Sequence, residues 1–120
     1  MKVTLTEKAV ERGTYIVTHT FVDENGDPAT PNSGLTWTLT DGKGNIVNAR
    51  EDVSITAASQ INIVLSGDDL ALDSDDESYY DTARKLLIEG TYDSATYGSG
   101  LPIKDEVTFF IENLVLLTGT

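Results

Sequence analysis

Thr14-Tyr15-Ile16-Val17-Thr18-His19-Thr20-Phe21-Val22 is dense in β-branched and aromatic residues. Such side chains favour the pleated, half-buried surface of a strand over a helix. Asp23-Glu24-Asn25-Gly26-Asp27-Pro28 follows at once, a run of turn formers that stops the strand. Downstream, Leu35, Trp37 and Leu39 alternate with Thr36, Thr38 and Thr40, which predicts a half-buried strand with a threonine face towards water. Asp41-Gly42-Lys43-Gly44-Asn45 is a hairpin turn onto Ile46-Val47. Val53 and Ile55 lie in a weaker extended stretch before Ile61, Ile63 and Leu65 alternate again.

The rest of the chain keeps the same period. Val3 and Leu5 supply a short first strand, Arg84 to Tyr92 a long one, and Val107, Phe109 and Ile111 one face of a last one. Asp68-Asp69-Leu70-Ala71-Leu72 has room for one short helical turn, and no segment carries a helical stripe. The absence of βα alternation and of a Gly-rich phosphate loop argues against an α/β nucleotide enzyme. Seven to eight strands at these spacings predict an all-β fold, a sandwich in one domain over residues 1–120. The expected core is Val3, Leu5, Val17, Phe21, Leu35, Trp37, Leu39, Ile61, Ile63, Leu65, Leu86, Ile88, Val107, Phe109 and Ile111.

Twenty acids against eight bases give a net charge of −12. Nucleic acid and anionic membrane are therefore poor partners, because both require Lys and Arg to replace counterions. No apolar run approaches the ~18 residues of a membrane span. The absence of cysteine excludes a disulfide framework, Cys-based zinc and a thiol nucleophile. Met1 to Lys8 has no apolar h-region, so synthesis in the reducing cytoplasm is expected, with incorporation into a larger particle as the way out.

Two resemblances follow from particular residues. Trp37 lies in the third strand, where immunoglobulin-like sandwiches often place an aromatic across the sheets, and Asp81-Thr82-Ala83 is similar to their Asp-x-Ala approach to the sixth. Lys85 and Leu87 stand where antibody domains have Tyr and Cys, which leaves an immunoglobulin-like antiparallel β-sandwich of about seven strands without the antibody hallmarks. Gly90-Thr91-Tyr92-Asp93-Ser94 and Gly98-Ser99-Gly100-Leu101-Pro102-Ile103, leading into a final strand, resemble small β-sandwich accessory proteins of tailed-phage virions. The acidity and the lack of cysteine and leader fit the same resemblance, which covers the last third of the chain. It implies a non-enzymatic structural module whose partners are proteins, either itself or virion subunits, with no cofactor.

Candidate sites are few. Asp23, Asn25 and Asp27 have the alternate-residue spacing of calcium ligands, but Pro28 stands where an EF-hand loop requires Gly and Gly34 where it requires a carboxylate. Seven acids crowd the fourteen residues from Asp68 to Asp81, among them Asp69, Asp73, Asp75 and Asp76. These are weak calcium candidates in what reads as a solvated connection. His19, the one histidine, has no Ser or Cys elbow nearby and is expected at the core edge, bonded to backbone. Tyr79, Tyr80, Tyr92 and Tyr97 surround two inter-strand connections and are suited to stacking on sugar or anchoring a protein. One of Tyr79 and Tyr80 is alternatively a packed corner residue. Leu114-Val115-Leu116-Leu117 either continues the last strand or docks on a neighbouring subunit, with Leu116 and Leu117 as the contact residues. The competing function is a carbohydrate- or protein-binding module of a bacterial surface system.

Overall fold

The computed structural model describes residues 1–72 and 81–112. It is mostly β, with strands β1 (Lys2–Thr4), β2 (Ala9–Val10), β3 (Thr14–Thr20), β4 (Thr36–Asp41), β5 (Val53–Ser54), β6 (Gln60–Ser66), β7 (Asp81–Ser94) and β8 (Gly98–Glu112). A 3₁₀ turn, Gly67–Leu70, follows β6. One sheet has the order β1-β8-β7-β4-β5, with β2 also pairing β8; β3 and β6 make a second sheet of two strands.

Alternation along each strand decides what each sheet buries. Tyr15, Val17 and His19 of β3 face inwards with Ile61, Ile63 and Leu65 of β6. Leu39, Leu86, Ile88, Val107, Phe109 and Ile111 meet them from the larger sheet, and all the apolar ones join a single buried cluster. Tyr15 stacks on Phe109 with ring centroids 5.0 Å apart, so β3 lies over β8. Trp37 is 7% exposed and every other expected core residue is buried except Val3 and Leu5, which are half-buried at the chain's start. Ala9, Tyr15, Leu70 and Leu72 complete the core.

Three expectations need correction. The sheets are not wholly antiparallel: β1 and β2 both run parallel to β8. No hairpin links the first strands to the last, so turn geometry does not fix their direction. The threonine face of β4 is not all solvated, because Thr38 is buried and its Oγ1 accepts the Asp52 amide at 3.0 Å. The segment after Asn45 returns as the expected hairpin along the edge of β4, with Thr40 bridging Ile46. Val47 N–H bonds Leu39 O at 2.9 Å, then Asn48 and Ala49, both left-handed at φ 53° and 54°, reverse the chain. Finally, His19 is bonded to a carboxylate rather than to backbone.

Two turns share one construction. Asp23 Oδ1 accepts the amides of Asn25 and Asp27, at 2.8 and 3.0 Å, and Asp41 Oδ1 those of Lys43 and Asn45, at the same distances. Each turn ends on a left-handed glycine, Gly26 (φ 82°) or Gly44 (φ 90°), where a Cβ is disfavoured. The calcium-like spacing at Asp23 is thus an Asx turn.

Candidate functional site

β7 and β8 pair from Asp81↔Glu112 to Ser94↔Gly98, far beyond the rest of their sheet. β4 stops opposite Glu89, and β1 begins opposite Glu106. The hairpin from Gly90 to Ile103 is therefore an arm standing off the body, in a molecule 57 Å long and 25 Å by 22 Å across. At its tip Tyr97 is 68% exposed, and the Ser94 hydroxyl accepts the amides of Thr96 and Tyr97 at 3.2 and 3.0 Å.

The β3–β4 connection braces this arm. Val22 bridges Pro28 in a small hairpin whose Glu24 accepts the Tyr92 hydroxyl at 3.0 Å and the Ser94 hydroxyl at 3.2 Å. The hydrogen bond to Glu24, more than slight burial and the nearby Glu24 and Asp23 charges, pushes the Tyr92 pKa up. Asn32 donates its backbone amide to Thr91 O at 2.8 Å and its side-chain amide to Asp93 Oδ1 at 3.1 Å. Asp93 Oδ1 also accepts Gly100 N–H at 2.9 Å across the bulge at Tyr92/Ser94, and the Gly100 and Asn32 bonds lower its pKa. From Ser94 to Ile103 the arm carries no charged residue, in a chain of net charge −12.

A groove of about 500 Å³ lies at the base of the arm, walled by Phe21, Val22, Tyr92, Pro102, Ile103 and Asp105. Below it the His19 Nε2 and Asp105 Oδ2 are 2.7 Å apart, with His19 only 5% exposed and edge-on to Phe21. The second Asp105 oxygen takes the Met1 amino group at 3.1 Å. A histidine–carboxylate pair orients an imidazole for proton transfer; here His19 is packed against Phe21 while Asp105 reaches the groove wall, and the pair ties β3 to β8.

No protein-family model, curated protein or solved structure matches this chain.

Of the residues singled out from sequence, Tyr97 is on the surface at the arm's tip and Tyr92 is held beneath it. Tyr79, Tyr80, Leu116, Leu117, Asp73, Asp75 and Asp76 lie outside the described residues. Asp68 pairs with Arg12 at 3.0 Å, both largely exposed. Asp69 is 2% exposed and accepts Arg50 Nε (2.8 Å), Asn48 Nδ2 (2.9 Å) and the Ser66 amide (3.2 Å). Its oxygens hold the 3₁₀ turn to the chain reversal after β4. No group of three or more metal-ligating side chains stands among the described residues.

Sequence reading missed Glu24 and Asn32, whose partners are 59 to 70 residues away. It also missed Ile16 and Val64, each 56% exposed and directly opposite one another on the outer face of the small sheet. Their signal was present in the alternation: both fall on the face opposite Val17 and Ile63.

Proposed function

We propose that this chain is a non-enzymatic assembly module of immunoglobulin-like architecture, carried by a tailed-phage or prophage virion, that docks on a protein through its β7–β8 arm. The observation that carries the reading is the uncharged tip from Ser94 to Ile103, braced by Glu24 and Asn32 and standing off an acidic body. Self-repulsion keeps such bodies apart, while the neutral tip meets a partner without a desolvated charge. Tyr97 supplies the amphipathic ring that anchors protein contacts. For the architecture, β4, β7 and β8 share one sheet and β3 and β6 the other, the division of third, sixth and seventh from second and fifth strands in immunoglobulin-like sandwiches. Buried Trp37 on β4 fits the same plan.

Mass spectrometry of purified particles from a culture carrying the gene in its native setting tests this reading. The chain should be present at fixed stoichiometry, and Tyr97→Asp should lower its occupancy without changing its melting temperature. Particles free of the chain would sink the virion assignment. A bacterial-surface binding module is the second reading, supported by the same exposed Tyr97 ring. It is favoured instead if a glycan array is bound by the unsubstituted chain and not by Tyr97→Ala.

A further inference from the structure

The hydrogen bonds closing the β3–β6 pair show what its edges present. Phe21 N–H reaches Ser59 O at 2.8 Å and Gly67 N–H reaches Gly13 O at 3.0 Å. With the register Tyr15↔Leu65, Val17↔Ile63 and His19↔Ile61, these place the mutually bonded pairs at odd-numbered positions of both strands. The backbone groups of Thr14, Ile16, Thr18 and Thr20 therefore point away from β6, along an edge that no described residue pairs. The other edge presents Gln60, Asn62, Val64 and Ser66, but the Ser66 amide is already given to Asp69.

Sheet edges in folded proteins are guarded by charges, prolines, bulges or very short strands. β3 has none of these: Thr14–Thr20 is seven residues long, lacks charged side chains and proline, and its ladder with β6 is unbroken. The face beside it is as bare of charge. Thr14, Ile16, Thr18 and Thr20 stand opposite Ser66, Val64, Asn62 and Gln60, with the apolar Ile16–Val64 pair in the middle.

We propose that the free edge of β3 is a strand-addition site for a second copy of this chain. The two β3 strands pair antiparallel across a two-fold axis at Val17, giving one sheet in the order β6-β3-β3-β6. The outward residues are symmetric about Val17, so Thr14 of each copy faces Thr20 of the other and Ile16 faces Thr18. No outward group is left over.

The symmetry of the edge about Val17 selects the occupant, and charge selects the direction. The start of β3 is flanked by Glu7, Lys8, Glu11 and Arg12, with Asp68 held against Arg12 at 3.0 Å, a net of one negative charge, and its end by the acids Asp23, Glu24 and Asp27. Antiparallel pairing brings the less acidic end of each copy beside the more acidic end of the other. Parallel pairing sets three acids against three. The uncharged strip is where two bodies of net charge −12 meet without like charges in contact. An edge roughly 23 Å long covers far less than the ~800 Å² per partner of a standard interface. The dimer is thus weak and reversible, and salt strengthens it by screening the two bodies from one another.

Sedimentation velocity on the full chain, across concentration and at low and high salt, tests this. Thr18→Pro and Asn62→Pro each remove an outward amide and no bond of the β3–β6 ladder. The proposal expects dimers in the unsubstituted chain and in Asn62→Pro, and dissociation at least about tenfold easier in Thr18→Pro. Should Thr18→Pro fail to fold, Ile16→Lys takes its place, guarding the edge with a charge. Amide exchange of the unsubstituted chain should slow with concentration at Thr14, Ile16, Thr18 and Thr20. A chain that stays monomeric, or dimers indifferent to Thr18→Pro and Ile16→Lys, overturns the proposal. Tyr97→Asp should leave the dimer intact, because the arm and the β3 edge are separate surfaces.

Discussion

At the scale of the residue, Gly90 shows how closely the arm's root is packed. A Cβ there would stand 2.8 Å from Leu35 Cδ1 and 3.6 Å from its Cα, and Leu35 is fully buried. Gly90→Ala should therefore cost about 1–3 kcal/mol, the usual penalty of overpacking, even though alanine favours an ordered chain. A urea titration giving equal or greater stability would mean that Leu35 has room to turn aside. Trp37 carries the opposite risk. It is 7% exposed between β5 and β7, and Trp37→Ala should cost ~3–5 kcal/mol through lost burial and the cavity left behind. A loss under ~1 kcal/mol by the same titration is what a surface residue gives, and would contradict this packing.

At the scale of the element, the 3₁₀ turn at Gly67–Leu70 is far too short to hold itself, and Asp69 fastens it. Burial alone pushes the Asp69 pKa up. The bonds from Arg50, Asn48 and the Ser66 amide, with the Arg50 charge, outweigh burial and hold it below the ordinary carboxylate value. A carboxyl more acidic folded than unfolded adds stability that is fully present above about pH 4 and is lost as pH falls through the folded value. Asp69→Asn should thus be less stable by about 1–3 kcal/mol at pH 7, and the gap should close as pH falls below about 4. Thermal melts of both proteins from pH 7 to pH 2.5 check this. A gap that stays constant would place the contribution in shape rather than charge. Asp41 is held low by a similar ring of bonds, from Asn45 and Lys43, once they overcome its slight burial. The two carboxylates thus bond opposite ends of the segment that runs along the edge of β4.

At the scale of the whole molecule, a two-stranded ribbon faces a much wider sheet. Such a ribbon is marginal alone in water, and β3–β6 persists because its inner face is part of the one core. The His19–Asp105 contact adds a polar tie across the same gap, over 86 residues of sequence. Unfolding should be cooperative, with Trp37 fluorescence from the larger sheet and far-ultraviolet circular dichroism giving superimposable denaturant curves. Separated midpoints would show the ribbon melting on its own. In a double-mutant cycle with His19→Ala and Asp105→Ala, a coupling of about 0.5–3 kcal/mol is expected. A coupling near zero would reduce the contact to mere proximity.

By itself the sequence determined most of the strands and the apolar face that each buries, though not the short β2 or the full reach of β8. Alternation has a period of two whatever the strand pairs with, so Leu35, Trp37 and Leu39, or Val107, Phe109 and Ile111, declare an inner face locally. Turns were legible for the same reason, since Asp23 and Asp41 bond amides two and four residues on. Tyr97 was legible as a candidate surface tyrosine, and it is exposed, but its place at the end of an arm was not, because an arm exists only where neighbouring strands stop. Which strands are neighbours was decided by the tertiary structure. The parallel course of β1 and β2 along β8, the bracing of the arm by Glu24 and Asn32, and the burial of Asp69 under Arg50 all join distant segments. Those pairings are set by how the faces fit into one core and by which polar groups burial forces to find partners. The edge of β3 is the clearest case: its residues are written in the sequence, but only the assembled sheets leave it without a neighbour among the described residues.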